Sequence, residues 1–258
     1  MKSFVTLCSL LIFTSSGLAA GNLVDYRVGN QVLEGYYVSP SATAPLILLV
    51  HDWDGLTDYE VQRAELLAGL GYAVFAVDLF GKGVRPTELV DKRQHTGELY
   101  QDRAKMRALL HGALLTAKSQ GGNIDQAVVM GYCFGGAAVL EFARSGVDLK
   151  GFVTFHGGLT TPEGQDYAQT KGKLLILHGS ADTAITMDQF AALARELEKA
   201  GVPHEMISYG GAPHAFTLFG GDNYRRDADE KSWKRFQEFL AETLPPGALA
   251  HPPGLGKQ

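Results

Sequence analysis

The stretch Ala127-Val128-Val129-Met130-Gly131-Tyr132-Cys133-Phe134-Gly135-Gly136-Ala137-Ala138-Val139-Leu140 decides the fold. Its first four residues are an unbroken apolar run of strand length, and Ala137 to Ala143 reads as a helix. Only a sharp turn fits between them. Gly131-Tyr132-Cys133-Phe134-Gly135 places glycine two residues before and two after a nucleophilic side chain, in the order strand, turn, helix. Such a turn exposes the nucleophile, and the glycines let strand and helix approach closely. It also sets Cys133 at a helix N-terminus, where the dipole favours a thiolate. A lone cysteine in an apolar stretch is otherwise a small buried hydrophobe. The strand–turn–helix context favours the nucleophile.

Working outward, Leu46–Val50, Tyr72–Val77, Phe152–Phe155 and Leu174–Leu177 are further apolar runs of strand length, and Leu46–Val50 is continuous enough for a strand covered on both faces; His204–Tyr209 reads as the last strand. Residues 22–40 alternate around Gly29-Asn30, as an antiparallel hairpin would. Helical spacing recurs in Val61-Ala64-Leu67-Ala68, in Met106-Leu109-Leu110-Ala113-Leu114-Ala117, and in Trp233-Phe236-Phe239-Leu240. Thr186 and Gln189 form a capping-box pattern before Phe190, Leu193 and Leu197, and Gly201 ends that helix. Strands and helices alternate, which predicts an α/β class with one doubly wound, mostly parallel sheet and helices on both faces. The polar residues 81–97 are expected as a long connection, either a lid or a wall of the site.

The chain has 258 residues with a formal charge of −5, 45% hydrophobic and 20% charged. This composition excludes collagen-like and disordered classes, and it supplies no basic surplus for nucleic acid. Lys2, the apolar Phe4–Phe13 run and the small residues Gly17-Leu18-Ala19-Ala20 read as a secretory signal peptide over residues 1–20; a buried first helix is the alternative. The run is too short to span a bilayer, so an exported protein, periplasmic or secreted, without stable membrane association is expected. Residues 21–243 form the expected single domain. Residues 244–258, with four of the ten prolines, form the expected Pro/Gly-rich flexible tail. Cleavage removes Cys8 and leaves Cys133 without a disulfide partner.

In open parallel sheets, function collects at the carboxyl ends of the strands. There the sequence presents His51-Asp52-Trp53, then Cys133, then His178-Gly179-Ser180-Ala181-Asp182, then Pro213-His214. Cys133 is the candidate nucleophile, His214 the base and Asp182 the acid that orients it. His51, His156, His178 and His204 compete for the base. His156 and His178 lie too close to strand ends if the order nucleophile, acid, base is kept. The backbone N–H groups of Trp53 and Phe134 are the candidate oxyanion donors. The histidines are scattered and show no metal-ligand spacing, so neither metal nor other cofactor is expected.

These residues, with Asp78-Leu79-Phe80-Gly81-Lys82-Gly83 and Pro213-His214-Ala215-Phe216, resemble the dienelactone hydrolase (carboxymethylenebutenolidase) family over about residues 22–242. The resemblance implies an α/β-hydrolase fold without a large cap. It also implies hydrolysis of a small ester or lactone through a Cys-His-Asp triad and a thioester acyl-enzyme. It further implies an acidic residue that holds the resting thiol. Asp52 falls there, one methylene shorter than the Glu of well-known members, with His51 beside it as gate or site wall. Members acting on dienelactone carry an arginine four residues after the catalytic histidine. Here that position is Leu218. Lys82, Arg85, Phe216 and Leu218 are the pocket candidates, with Arg93 and Arg103 as further possible cations. A monomer or homodimer is expected. The rival readings are a thiol peptidase or acyltransferase on the same fold, and a non-catalytic redox-sensing protein.

Overall fold

The computed structural model describes residues 20–244. The expected leader and tail lie, but for one residue each, outside the described residues. Eight strands form one sheet in the order β1-β2-β4-β3-β5-β6-β7-β8. The hairpin of β1 (Asn22–Val28) and β2 (Gln31–Val38) is antiparallel, and β2 also runs antiparallel to β4 (Ala73–Val77). β3 (Pro45–Val50), β4, β5 (Asn123–Tyr132), β6 (Gly151–Phe155), β7 (Lys173–Gly179) and β8 (His204–Tyr209) are mutually parallel.

The unbroken apolar runs follow from burial on both faces. Leu46, Leu48, Val50, Phe75, Val129, Phe152 and Ile176 point to one side of the sheet. There they meet α3 (Arg103–Ser119), α4 (Phe134–Arg144) and α5 (Met187–Ala200). Ile47, Leu49, Val74, Val128, Met130, Val153 and Leu175 point to the other side, against α1 (Asp58–Gly69) and α6 (Arg226–Thr243). Alternate residues of each inner strand therefore serve two cores. α5 opens on the Thr186/Gln189 capping box and closes on Gly201 in the left-handed region.

The segment 81–97 corrects the sequence expectation. It is not one long connection, because α2 (Leu89–Gln101) begins within it. α2 offers no start motif: Glu88 at its N-cap makes no side-chain bond. Of its residues only Thr96 and Leu99 are buried, so it carries no apolar stripe to read. Asp102 separates α2 from α3. Its N–H closes α2 on Glu98 O, and its side chain caps α3 by accepting from Lys105 N–H at 2.8 Å.

Candidate active site

The elbow is built from backbone. Cys133 N–H continues the ladder onto Phe155 O at 3.1 Å, after which the residue turns to φ +50°, ψ −113°. Its carbonyl accepts from the N–H groups of Gly136, Ala137 and Gly158. A Cβ at Gly131 would fall closer than 3.0 Å to Gly135, and one at Gly135 would fall equally close to the carbonyls of Val50 and His51. The glycine spacing thus records two contacts between bare backbones, one within the elbow and one between α4 and β3. Phe134 is the first residue of α4, and its N–H, like any in a first helical turn, has no partner within the helix.

Asp182 follows β7 in a turn fastened to the neighbouring loop. Ala181 N–H donates to Ala212 O, and Gly211 N–H donates to Ser180 Oγ. His178, fully buried, donates from Nε2 to Ile185 O at 2.9 Å and closes the same turn. Asp182 Oδ1 accepts from the N–H groups of Ala184 and Ile185. Its Oδ2 lies 2.7 Å from His214 Nδ1, and His214 Nε2 lies 3.1 Å from Cys133 Sγ. Burial disfavours charge on Asp182, but His214 and the two N–H donors outweigh it and hold the carboxyl below its usual range. Burial likewise opposes charge on His214, yet Asp182 and the sulfur raise its pKa to about 10. The structure therefore brings Cys133, His214 and Asp182 into one chain of contacts at the carboxyl ends of β5, β8 and β7.

The other candidates are placed differently. Leu79 N–H donates to His51 Nε2, so the proton of His51 sits on Nδ1 and is given to Asp52 O. The ring is wholly buried, its pKa lowered to about 4 by burial, and it straps the ends of β3 and β4 beneath Phe80 and Phe134. Asp52 accepts from Asp54 N–H, and burial lifts its carboxyl to about 6. Among the described residues it makes no hydrogen bond to the sulfur. Trp53 is partly exposed, with Lys92 Nζ 5.2 Å above its ring.

Two pocket assignments need correction. Phe216 is not a pocket wall: it is fully buried beneath the His214 turn, against His156 and Tyr209. Lys82 is exposed and engaged by Asp25 and Glu34 of the outer hairpin, so its charge is held on that surface. Arg85 turns its guanidinium to Val84 O, and Glu34 lies 3.9 Å away. Arg103 lies over Tyr100 and near Glu141. Arg93 is exposed on α2. Leu218 is half-buried, its N–H closing a turn on Ala215 O.

Sequence reasoning missed the contribution of α2. Lys92 pairs with Asp54 at 2.6 Å, His95 stacks on Phe80, and Tyr100 meets the edge of Phe134. Burial, then the nearness of Cys133, pushes the Tyr100 phenol up. No periodic pattern announced these side chains.

A mostly parallel sheet with a cysteine elbow after its central strand β5, and with a carboxylate and an imidazole after β7 and β8 in contact with it, defines an α/β-hydrolase. The dienelactone hydrolase family profile matches residues 33–244, and the chain belongs to that family. It is a hydrolase of esterase type. A solved structure titled m3DLH superposes with a TM-score of 0.83 at 30% identity, over 88% of this chain and 100% of that one. A dienelactone hydrolase-like promiscuous phosphotriesterase, P91, from metagenomic libraries gives 0.82 at 28% identity, over 88% and 100%. A protein of Salmonella typhimurium, provisionally named carboxymethylenebutenolidase, is 23% identical over 250 residues, 92% of each chain.

Proposed function

We propose that the chain hydrolyses small neutral esters or lactones through a thioester on Cys133. The observation that carries the reading is the unbroken contact sequence from Cys133 Sγ through His214 to Asp182, at 3.1 and 2.7 Å. With the proton on the imidazole and the charge on sulfur, the thiolate adds to the carbonyl carbon. The oxyanion formed is held by the N–H groups of Phe134 and Trp53. Collapse breaks the C–O bond, and His214 Nε2–H gives its proton to the leaving alkoxide. Water then gives a proton to His214 as its oxygen adds to the thioester. The second collapse frees the acid and returns the thiolate. Asp182 keeps the Nδ1 proton in place and offsets the ring's charge throughout.

The preference for neutral substrates has its own support. Lys82, Arg85, Arg103 and Lys92 each face an acidic partner on this chain, and position 218 is Leu. The test is a panel of p-nitrophenyl acetate, short esters, neutral lactones, anionic lactones and peptides, with mass spectrometry for acylated Cys133. Turnover of esters, lost in Cys133→Ala, is expected. Undiminished turnover in that variant overturns the reading. Peptide cleavage without ester turnover favours a peptidase, and alkylation without any turnover favours a sensor.

A further inference from the structure

His214 is carried by residues 210–225, the connection from β8 to α6. Ala215, directly after it, has φ +60°, a conformation that an L residue adopts only when held there. The hold lies at Thr217, which is fully buried. Its carbonyl accepts from Arg63 Nη2 at 3.1 Å and from Tyr59 Oη at 3.2 Å, both on α1. Its hydroxyl lies 2.8 Å from His156 Nε2, at the end of β6, and 3.0 Å from Tyr59 Oη. Arg63 is fixed in turn. It binds Asp229 of α6 at 2.7 Å, and its guanidinium lies 4.2 Å from the Phe219 ring and 4.7 Å from the Trp233 ring.

The protons can be assigned. Arg63 Nε–H donates to Tyr59 Oη, and Tyr59 O–H donates to Thr217 O. Thr217 O–H then donates to Tyr59 Oη, and His156 Nε2–H donates to Thr217 Oγ1. This leaves a bare lone pair on His156 Nδ1, which is buried without a partner among the described residues. The opposite tautomer would bury an unpaired N–H, the costlier choice. His156 itself stands at φ +42°, with its ring edge-to-face 5.3 Å from that of His214. So α1 and the residue that ends β6 converge on one residue three positions beyond the base, and α6 reaches it through Arg63.

We propose that Thr217, gripped by His156, Tyr59 and Arg63, is the positioning residue that keeps His214 Nε2 within reach of Cys133 Sγ. The proposal rests on the triad reading above. Asp182 fixes one nitrogen of the ring, and the bonds at Gly211 and Ala212 anchor the loop on the approach to it. Beyond the ring, where Ala215 turns to positive φ, Thr217 is the point tied to other elements, and it aims the second nitrogen.

The experiment compares wild type with Thr217→Val, Thr217→Ser and Tyr59→Phe. Three quantities are followed: kcat and KM on p-nitrophenyl acetate, the pH profile of Cys133 alkylation by iodoacetamide, and Tm. Thr217→Val is expected to lower kcat by about 10²-fold, the scale of a misplaced reacting group, with KM little changed. Its alkylation near pH 6 should slow, and Thr217→Ser should restore both. Tyr59→Phe keeps the ring packing and should show the same kcat loss in milder form. Wild-type kcat and alkylation in Thr217→Val overturn the proposal. So does a fall in Tm and kcat together that Ser does not rescue, since that marks a structural role only. Wild type that alkylates but turns over no ester removes the functional reading instead; alkylation then still decides the positioning claim.

Discussion

His214 Nε2 stands 3.1 Å from Cys133 Sγ although 81 positions separate the two residues. The imidazole is protonated well above its ordinary range, at about 10, because Asp182 and the sulfur outweigh the effect of burial. A folded-state value above the ordinary 6.5 means that protonation favours the fold. That contribution is complete below about pH 6.5 and fades as pH climbs toward 10. Asp182 is displaced downward from 3.8, so its share is present above that value and disappears as pH falls through the lower one. The stability gap between wild type and His214→Asn, read by urea unfolding, should therefore be widest between about pH 4 and 6.5. It should narrow toward pH 10. A gap that widens with alkali contradicts the coupled pair.

Cys133 adopts φ +50°, ψ −113°, which glycine tolerates better than any residue with a Cβ. Cys133→Gly and Cys133→Ala should both lose ester turnover. The glycine variant should nevertheless unfold about 1 kcal/mol later than the alanine variant. Chemical denaturation of the pair checks this, and equal midpoints would argue against strain at the elbow.

Gly135→Ala pushes a methyl group against two carbonyls of β3 and its exit, neither of which can rotate away. A cost of about 1–3 kcal/mol is expected, with a further drop in kcat as the Phe134 N–H moves. Gly69→Ala in α1 is the control, since its Cβ would meet nothing within 4 Å. It should stabilise by about 0.5–1 kcal/mol. Scanning calorimetry of the two variants separates crowding from a general intolerance of alanine.

Leu218→Arg places a cation four residues after His214. The ratio of kcat/KM for an anionic over a neutral lactone should rise about tenfold, equivalent to roughly 1.4 kcal/mol. An unchanged ratio would show that position 218 does not face the substrate.

Inner strands were legible in the sequence because burial on both faces writes continuous runs such as Leu46–Val50, and the elbow because two glycines flank one nucleophile. The reach of His214 could be inferred only from chain order. α2 was illegible: it has two buried residues, a glycine at position 97 and no cap, and tertiary contacts of Lys92, His95 and Tyr100 do what periodicity elsewhere does. Thr217 and Arg63 were illegible for another reason. Their hydrogen bonds to other elements span 61 to 166 positions, and no local pattern encodes a partner at such a distance. Phe216 was misread because an aromatic next to a reactive loop looks the same whether it faces the cleft or the core.

Asp102 ends one helix with its backbone N–H and begins the next with its carboxylate, so a single residue sets the bend between α2 and α3. α2 carries Lys92, His95 and Tyr100 toward Asp54, Phe80 and Phe134. The tilt of α2 therefore depends on a residue that makes no hydrogen bond to Cys133, His214 or Asp182 among the described residues. A change at this corner would shift Lys92, His95 and Tyr100 while the contacts among Cys133, His214 and Asp182 stay as they are.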